Sequence, residues 1–241
     1  MIRNDTHIVL SKKMGEELAN SYGLNGQGIR VVSNAAFYDA VTVDAPRKRS
    51  AAEPLQIGFL SNITFEKGFV EFFAVLKQLK NLGIAYRAAI AGPLAPAAEE
   101  TFHNLCGEVT DVEYLGPVYG EAKECFYQRL DIFLFPTKYA NEAEPLVVYE
   151  ALRRGVYVIA CDRGAIPEML RNGAGLAVAI STIVESAVKQ IAEFNKNRPA
   201  LLSAQGMSMQ QAHRIQSSGR VELEKLLTRM QGGESNSRVA K

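Results

Sequence analysis

From residue 55 onward the chain alternates short apolar runs of strand length with amphipathic stretches of helix length. LQIGFL (55–60), YRAAIAG (86–92), VEYLG (112–116), DIFLFP (131–136), VYVIAC (156–161) and GLAVA (175–179) are the strand candidates. Between them, Phe69, Phe72, Phe73, Leu76 and Leu79 recur at helical spacing up to Gly83. Further helices are predicted over 97–107, 121–129, Pro145 to Arg154 and near 166–171. Strands apolar on both sides must be covered on both faces, and helices between them make the sheet parallel. Right-handed crossovers then predict an α/β fold with a doubly wound, Rossmann-like parallel sheet over residues 55–180.

The flanks divide differently. THIVLSKK reads as a strand, Met14 to Tyr22 as a helix and IRVVSN (29–34) as a second strand. This incomplete N-terminal βαβ segment, residues 1–45, is too small to bury a core alone and is expected to be the end of a larger unit. Residues 46–54 lack an apolar period and read as a linker. Their basic run Arg47-Lys48-Arg49 is expected to be a solvated connection. Residues 181–231 read as helices: Ile183 to Asn195, Pro199 to Gln216 and Val221 to Met230. The polar 232–241 is expected to be a disordered tail.

Composition narrows the function classes. A net charge of +1 gives no electrostatic footprint for nucleic acid or an anionic membrane. Cys106, Cys125 and Cys161 are scattered, as are the three histidines, so neither a disulfide framework nor a metal site is expected. That pattern suits a reducing compartment, here the cytoplasm. No apolar run approaches the ~18–20 residues of a membrane span.

Within the predicted sheet, the run NEAEPLVVYEALRRG carries the chemistry. Glu142 falls in the loop leaving the DIFLFPT strand, and Glu150 about 1.5 turns into the next helix at ~3.6 residues per turn. Pro145 suits that helix's first turn, where its missing N–H costs nothing. Ligands of open α/β sheets bind at the carboxyl ends of strands. Carboxylates accept hydrogen bonds only, so they suit ribose or sugar hydroxyls and repel phosphate. A phosphate would instead use the free N–H groups of the same helix start, near Leu146 and Val147. The structural alternative is that two acids in the first turns merely favour the helix dipole, by roughly 0.3–1 kcal/mol each.

The loop after the first core strand, GFLSNITFEKGF, adds Lys67 at a helix start, where a cation opposes the dipole and invites an anion. Gly68 would admit a phosphate closely, with Ser61 and Asn62 as hydroxyl and amide partners. A surface lysine beside a loop glycine is the plain alternative, and the P-loop pattern is absent. The loop CDRGAIPEML (161–170) offers the Gly164 turn and a helix opening at Pro167 and Glu168. Val118 and Tyr119 offer an apolar wall and a ring for a nucleobase, or ordinary surface packing.

Taken together, these motifs resemble the C-terminal half of the GT-B fold glycosyltransferases of family 4. The family's E-x7-E motif matches Glu142 to Ala151 as EAEPLVVYEA. Its EKG motif matches Glu66-Lys67-Gly68, and its GGxPE loop matches Gly164 to Glu168, followed by NGAGLAV. The similarity covers about residues 5–230, with residues 1–45 resembling the last strands of the acceptor domain.

The resemblance implies a retaining transferase that takes a nucleotide-diphosphate sugar as donor, with neither metal nor other cofactor. Glu142 would hold donor-sugar hydroxyls, Glu150 the ribose diol, and Lys67 would neutralise the diphosphate. Leu146, Val147, Gly68, Ser61, Asn62, Val118 and Gly164 complete the implied donor site. Many relatives carry an arginine where this chain has Phe59, and by the resemblance most of the acceptor-binding domain is expected to lie outside this sequence. A partner chain or a missing N-terminal domain is therefore expected for transfer, and membrane association only through the acceptor. A non-catalytic nucleotide-sugar-binding or interaction module is the alternative.

Overall fold

A computed structural model describes residues 6–24, 26, 28–39 and 53–237; most of the expected 46–54 linker lies outside them. In chain order the elements are β1 (His7–Val9), α1 (Lys12–Tyr22), β2 (Ile29–Val31), β3 (Leu55–Leu60), α2 (Phe69–Asn81) and β4 (Tyr86–Ala91). Then come α3 (Glu99–Glu108), β5 (Val112–Tyr114), α4 (Gly120–Gln128), β6 (Ile132–Phe135), α5 (Leu146–Arg153) and β7 (Tyr157–Cys161). The chain closes with α6 (Ile166–Met169), β8 (Gly175–Val178), α7 (Ile183–Lys196) and α8 (Arg198–Ser237). Two compact units result, one drawn from Met1–Val41 with His213–Lys241, the other from Thr42–Ala212.

The larger unit is built on six parallel strands in the order β5-β4-β3-β6-β7-β8. Its two faces follow from the two-residue period of a strand. Leu55, Ile57 and Phe59, Ile132 and Leu134, and Tyr157, Ile159 and Cys161 share one core with α2 and α7. Phe133 belongs to the opposite face, its ring 5.7 Å from that of Tyr127 on α4. Helix α2 forms because Phe69, Phe72, Phe73, Val75, Leu76 and Leu79 make one fully buried stripe. Each such side chain contributes roughly 1.5–3 kcal/mol of burial. Strand order reverses between β3 and β6, and the crevice outside their carboxyl ends is where a doubly wound sheet receives a ligand.

In the smaller unit, β1 and β2 pair in parallel, with His7 opposite Ile29. Ser11 opens the α1 crossover, its hydroxyl accepting from the Met14 N–H at 3.1 Å, and Gly23 closes it in the left-handed region. The end of α8 serves this unit. Gln216 donates to the Tyr38 and Asp39 carbonyls at 2.9 and 2.8 Å, and Arg220 donates to Ala36 O at 3.3 Å and to Tyr38 O.

Two expectations for the C-terminal region change. The separate helices over 199–216 and 221–230 are one helix, α8, which runs to Ser237 into the stretch expected to be a tail. No proline interrupts 217–220, and one glycine costs a helix only about 1 kcal/mol. Gly219 is a packing position instead, where a Cβ would stand 3.2 Å from that of Ala36. Pro145, expected in the first turn of its helix, is the residue just before α5.

Candidate active site

The loops after β3, β4, β5 and β6 build a cleft of about 410 Å³. Ser61 and Asn62 follow β3; Gly92 and Pro93 follow β4. Glu142, Pro145, Leu146 and Val147 come from the β6–α5 connection. Leu60, Lys67, Val118, Tyr119, Lys123 and Phe135 complete the wall.

Lys67 ends a short 3-10 turn, Phe65–Lys67, whose opening residue Thr64 accepts from the Lys67 N–H at 3.3 Å. The cation that the helix start disfavours finds its anion inside the protein: Lys67 Nζ donates to Glu142 Oε2 at 2.7 Å. Thr137 Oγ1 donates to the same oxygen at 3.1 Å. The ammonium also lies 4.6 Å from the Tyr139 ring centroid and 5.8 Å from that of Phe135. The Lys67 and Glu142 side chains are only 20% and 10% exposed, so screening by water is reduced without being abolished.

The two glycines of the matched motifs let the backbone pass closely. Gly68 has φ +85°, and a Cβ there would fall 2.1 Å from the Pro136 carbonyl oxygen. Gly164 has φ +50°, with a Cβ placed 2.1 Å from Glu142 O and 2.2 Å from Ala143 O. The N–H groups of the GAIPE loop do not face the cleft. Those of Ala165, Ile166 and Glu168 are bonded to Ala143 O, Arg163 O and Ala165 O. Neither Gly164 nor Gly68 lines the cleft; they brace the segments carrying Glu142 and Lys67. The donors left at the cleft are the first N–H groups of α5, Leu146 and Val147, which have no carbonyl one turn back within their helix.

Glu150 occupies a different setting from the one expected. It is 4% exposed and is not among the residues lining the cleft. Lys123 Nζ donates to its Oε1 at 2.5 Å and Tyr127 Oη to its Oε2 at 3.1 Å. Helix α4 is thus a contributor that sequence reasoning missed. The available signal was the i, i+4 spacing of Lys123 and Tyr127, which places both on one face of α4 just after Tyr119. Phe59 is fully buried against Phe72, at 5.6 Å between centroids, and contributes nothing to the cleft. Among the described residues no group of three or more His, Cys, Asp or Glu could hold a metal ion, and no helix is long and apolar enough to cross a membrane.

Sheet order, crossovers and cleft position define the C-terminal Rossmann-like domain of a GT-B glycosyltransferase. The chain belongs to the family of glycosyl transferases group 1, whose model matches residues 42–214. Among solved structures, Anabaena HepE in complex with UDP-glucose is similar at TM-score 0.71 and 16% identity, over 93% of this chain and 64% of that one. The pneumococcal O-GlcNAc transferase GtfA in complex with UDP and GlcNAc matches at 0.71 and 18%, over 95% and 45%. Sucrose-phosphate synthase from Thermosynechococcus elongatus matches at 0.71 and 18%, over 94% and 58%. The chain therefore spans between 45% and 64% of the length of these proteins. A comparison with curated proteins returns no match.

Proposed function

We propose that this chain binds a nucleotide-diphosphate sugar and forms the donor half of a retaining, metal-independent glycosyltransferase of family 4. The observation that carries this reading is the Lys67–Glu142 pair at the mouth of α5, beside the Leu146 and Val147 N–H groups. It sets a cation and backbone donors for a diphosphate next to a carboxylate for sugar hydroxyls. Negative charge grows on the departing phosphate in the transition state. Donors already fixed there stabilise it without reorganisation. Lys67 neutralises that charge while Glu142 turns to the sugar, and the nucleoside runs toward Tyr119 and the Glu150 end of α5. The acceptor is presented by a second domain, and donor binding by this chain alone is weak.

The complexes of HepE with UDP-glucose and of GtfA with UDP and GlcNAc support a sugar nucleotide as ligand class. Titration calorimetry with UDP, GDP and ADP tests the reading. One of them should bind, and Lys67→Met should weaken it by about tenfold or more, the loss of one charge-assisted hydrogen bond. Absence of binding by all three, or binding indifferent to both Lys67→Met and Glu142→Ala, overturns it.

A further inference from the structure

A second ion pair ties the β6–α5 connection to the start of α2, and it does so from outside the cleft. Lys138 Nζ donates to Glu71 Oε1 at 2.7 Å, and neither residue lines the cleft wall. Glu71 stands in the first turn of α2, where a carboxylate suits the helix dipole and where Phe69, Phe72 and Phe73 are fully buried. It is therefore a fixed post. Lys138 belongs to the segment leaving β6, and its own N–H donates to the Glu66 carbonyl at 2.7 Å. Both of its chain neighbours act on the cleft pair. Thr137, fully buried, donates to Glu142 Oε2 at 3.1 Å, and the Tyr139 ring lies 4.6 Å from Lys67 Nζ. Thr137 Oγ1 also accepts from the Tyr139 N–H at 3.3 Å, so residues 137–139 are tied into one piece.

We propose that Glu71 is a positioning residue for donor binding: through Lys138 it holds the 137–139 segment where Thr137 sets Glu142 and Tyr139 sets Lys67. This rests on the donor-binding reading above. Glu71 itself touches no ligand. The Lys138 and Glu71 side chains are 34% and 21% exposed, a partly desolvated pair. Replacing such a pair by apolar side chains is often neutral for stability, so a purely structural tie and a positioning tie predict different things. Charge alone predicts something different again. Removing the Glu71 carboxylate would favour a diphosphate nearby, and removing the Lys138 ammonium would disfavour it. Loss of a shared tie weakens binding in both cases.

The test measures, by calorimetry, the affinity of whichever nucleoside diphosphate binds best among UDP, GDP and ADP. Glu71→Gln and Lys138→Met should each weaken it by about fivefold and in the same direction, the size of a coupling within one contact network. The two changes together should weaken it no further than either alone. Lys138→Arg, which keeps the ion pair, should stay within about twofold of wild type. Glu71→Met combined with Lys138→Met should keep the wild-type urea midpoint and still bind more weakly. Calorimetry reports affinity apart from the competent fraction, so a partly unfolded sample does not imitate the effect. Glu71→Gln is nearly isosteric and carries the test should a Met variant not fold. Opposite effects of Glu71→Gln and Lys138→Met, or additive losses in their combination, overturn the proposal. Unchanged affinity, with or without a smaller competent fraction, also overturns it, while the donor-binding reading stands. A wild type that binds none of the three diphosphates removes both.

Discussion

Lys67 Nζ stands 2.7 Å from Glu142 Oε2, though 75 residues separate the two in the chain. Each half of this pair is poorly placed without the other. Lys67 sits just ahead of the positive end of α2, and Glu142 is a partly buried carboxylate in a loop. Their pairing relieves both conflicts and joins the loops after β3 and β6 across the switch point. A diphosphate entering the cleft would compete with Glu142 for the ammonium.

Breaking the pair from one side should cost stability in the free protein. Lys67→Met and Glu142→Gln are each expected to lower the unfolding free energy by about 1–3 kcal/mol, since each leaves a partly buried partner unsatisfied. The double variant should lose clearly less than the sum, with a coupling of about 1 kcal/mol in urea denaturation. Additive losses would mean that the contact contributes nothing in solution.

The two bracing glycines should tolerate alanine badly. At Gly68 and Gly164 a Cβ meets backbone carbonyl oxygens, which cannot swing aside as a flexible side-chain end can. Positive φ adds strain, so each Gly→Ala change is expected to cost about 2 kcal/mol or more. Gly164→Ala should also displace Glu142 and weaken nucleotide binding. Gly206→Ala, within α8 and with open space around it, should stabilise by about 0.5–1 kcal/mol and serves as the control in the same melts.

Tyr127→Phe removes a buried hydroxyl that lies 3.1 Å from Glu150 Oε2 and 3.2 Å from the Val147 carbonyl. A loss of about 1 kcal/mol in thermal or urea unfolding is expected. The ring itself packs between Phe126 and Phe133 and is retained, so a much larger loss would point to a packing change.

Stability should fall on the alkaline side. Burial pushes the Cys161 thiol from 9.0 up to about 12, with negative Asp162 and Glu71 adding to it. Burial likewise raises Tyr157, and burial followed by Asp111 raises Tyr86, both from 10.0 to about 12. All three are neutral when protonated, and the folded state holds that form. Their contribution is full below the unfolded values and declines from about pH 9 for Cys161 and pH 10 for the tyrosines, until it is lost above about pH 12. Denaturation midpoints between pH 8 and pH 11 measure this, and a midpoint that rises above pH 9 would contradict it.

How legible the chain was depends on the range of the interaction concerned. The six core strands and the helices between them were readable, because periodicity and breakers such as Gly83 act within a few residues. The joining of residues 199–216 to 221–230 was not, because Gly219 looks like a break until Ala36 packs against it. Glu142 and Lys67 were picked out as residues, and the structure sets them together at one cleft. Lys123 went unnoticed: a lysine on an amphipathic helix carries no local mark, and its partner Glu150 is 27 residues away.

What the sequence settles by itself is the order and kind of the elements, and therefore a parallel doubly wound sheet whose ligand edge lies at the carboxyl ends of its strands. Side-chain period and crossover handedness are local properties that leave few alternatives. Tertiary structure alone decides which charged tip meets the cleft. Glu150 and Lys123 differ in exposure only because two helices pack, and packing determines whether a carboxylate faces solvent or another side chain. That choice turns on angstroms between α4 and α5, a distance that no pattern within either helix encodes.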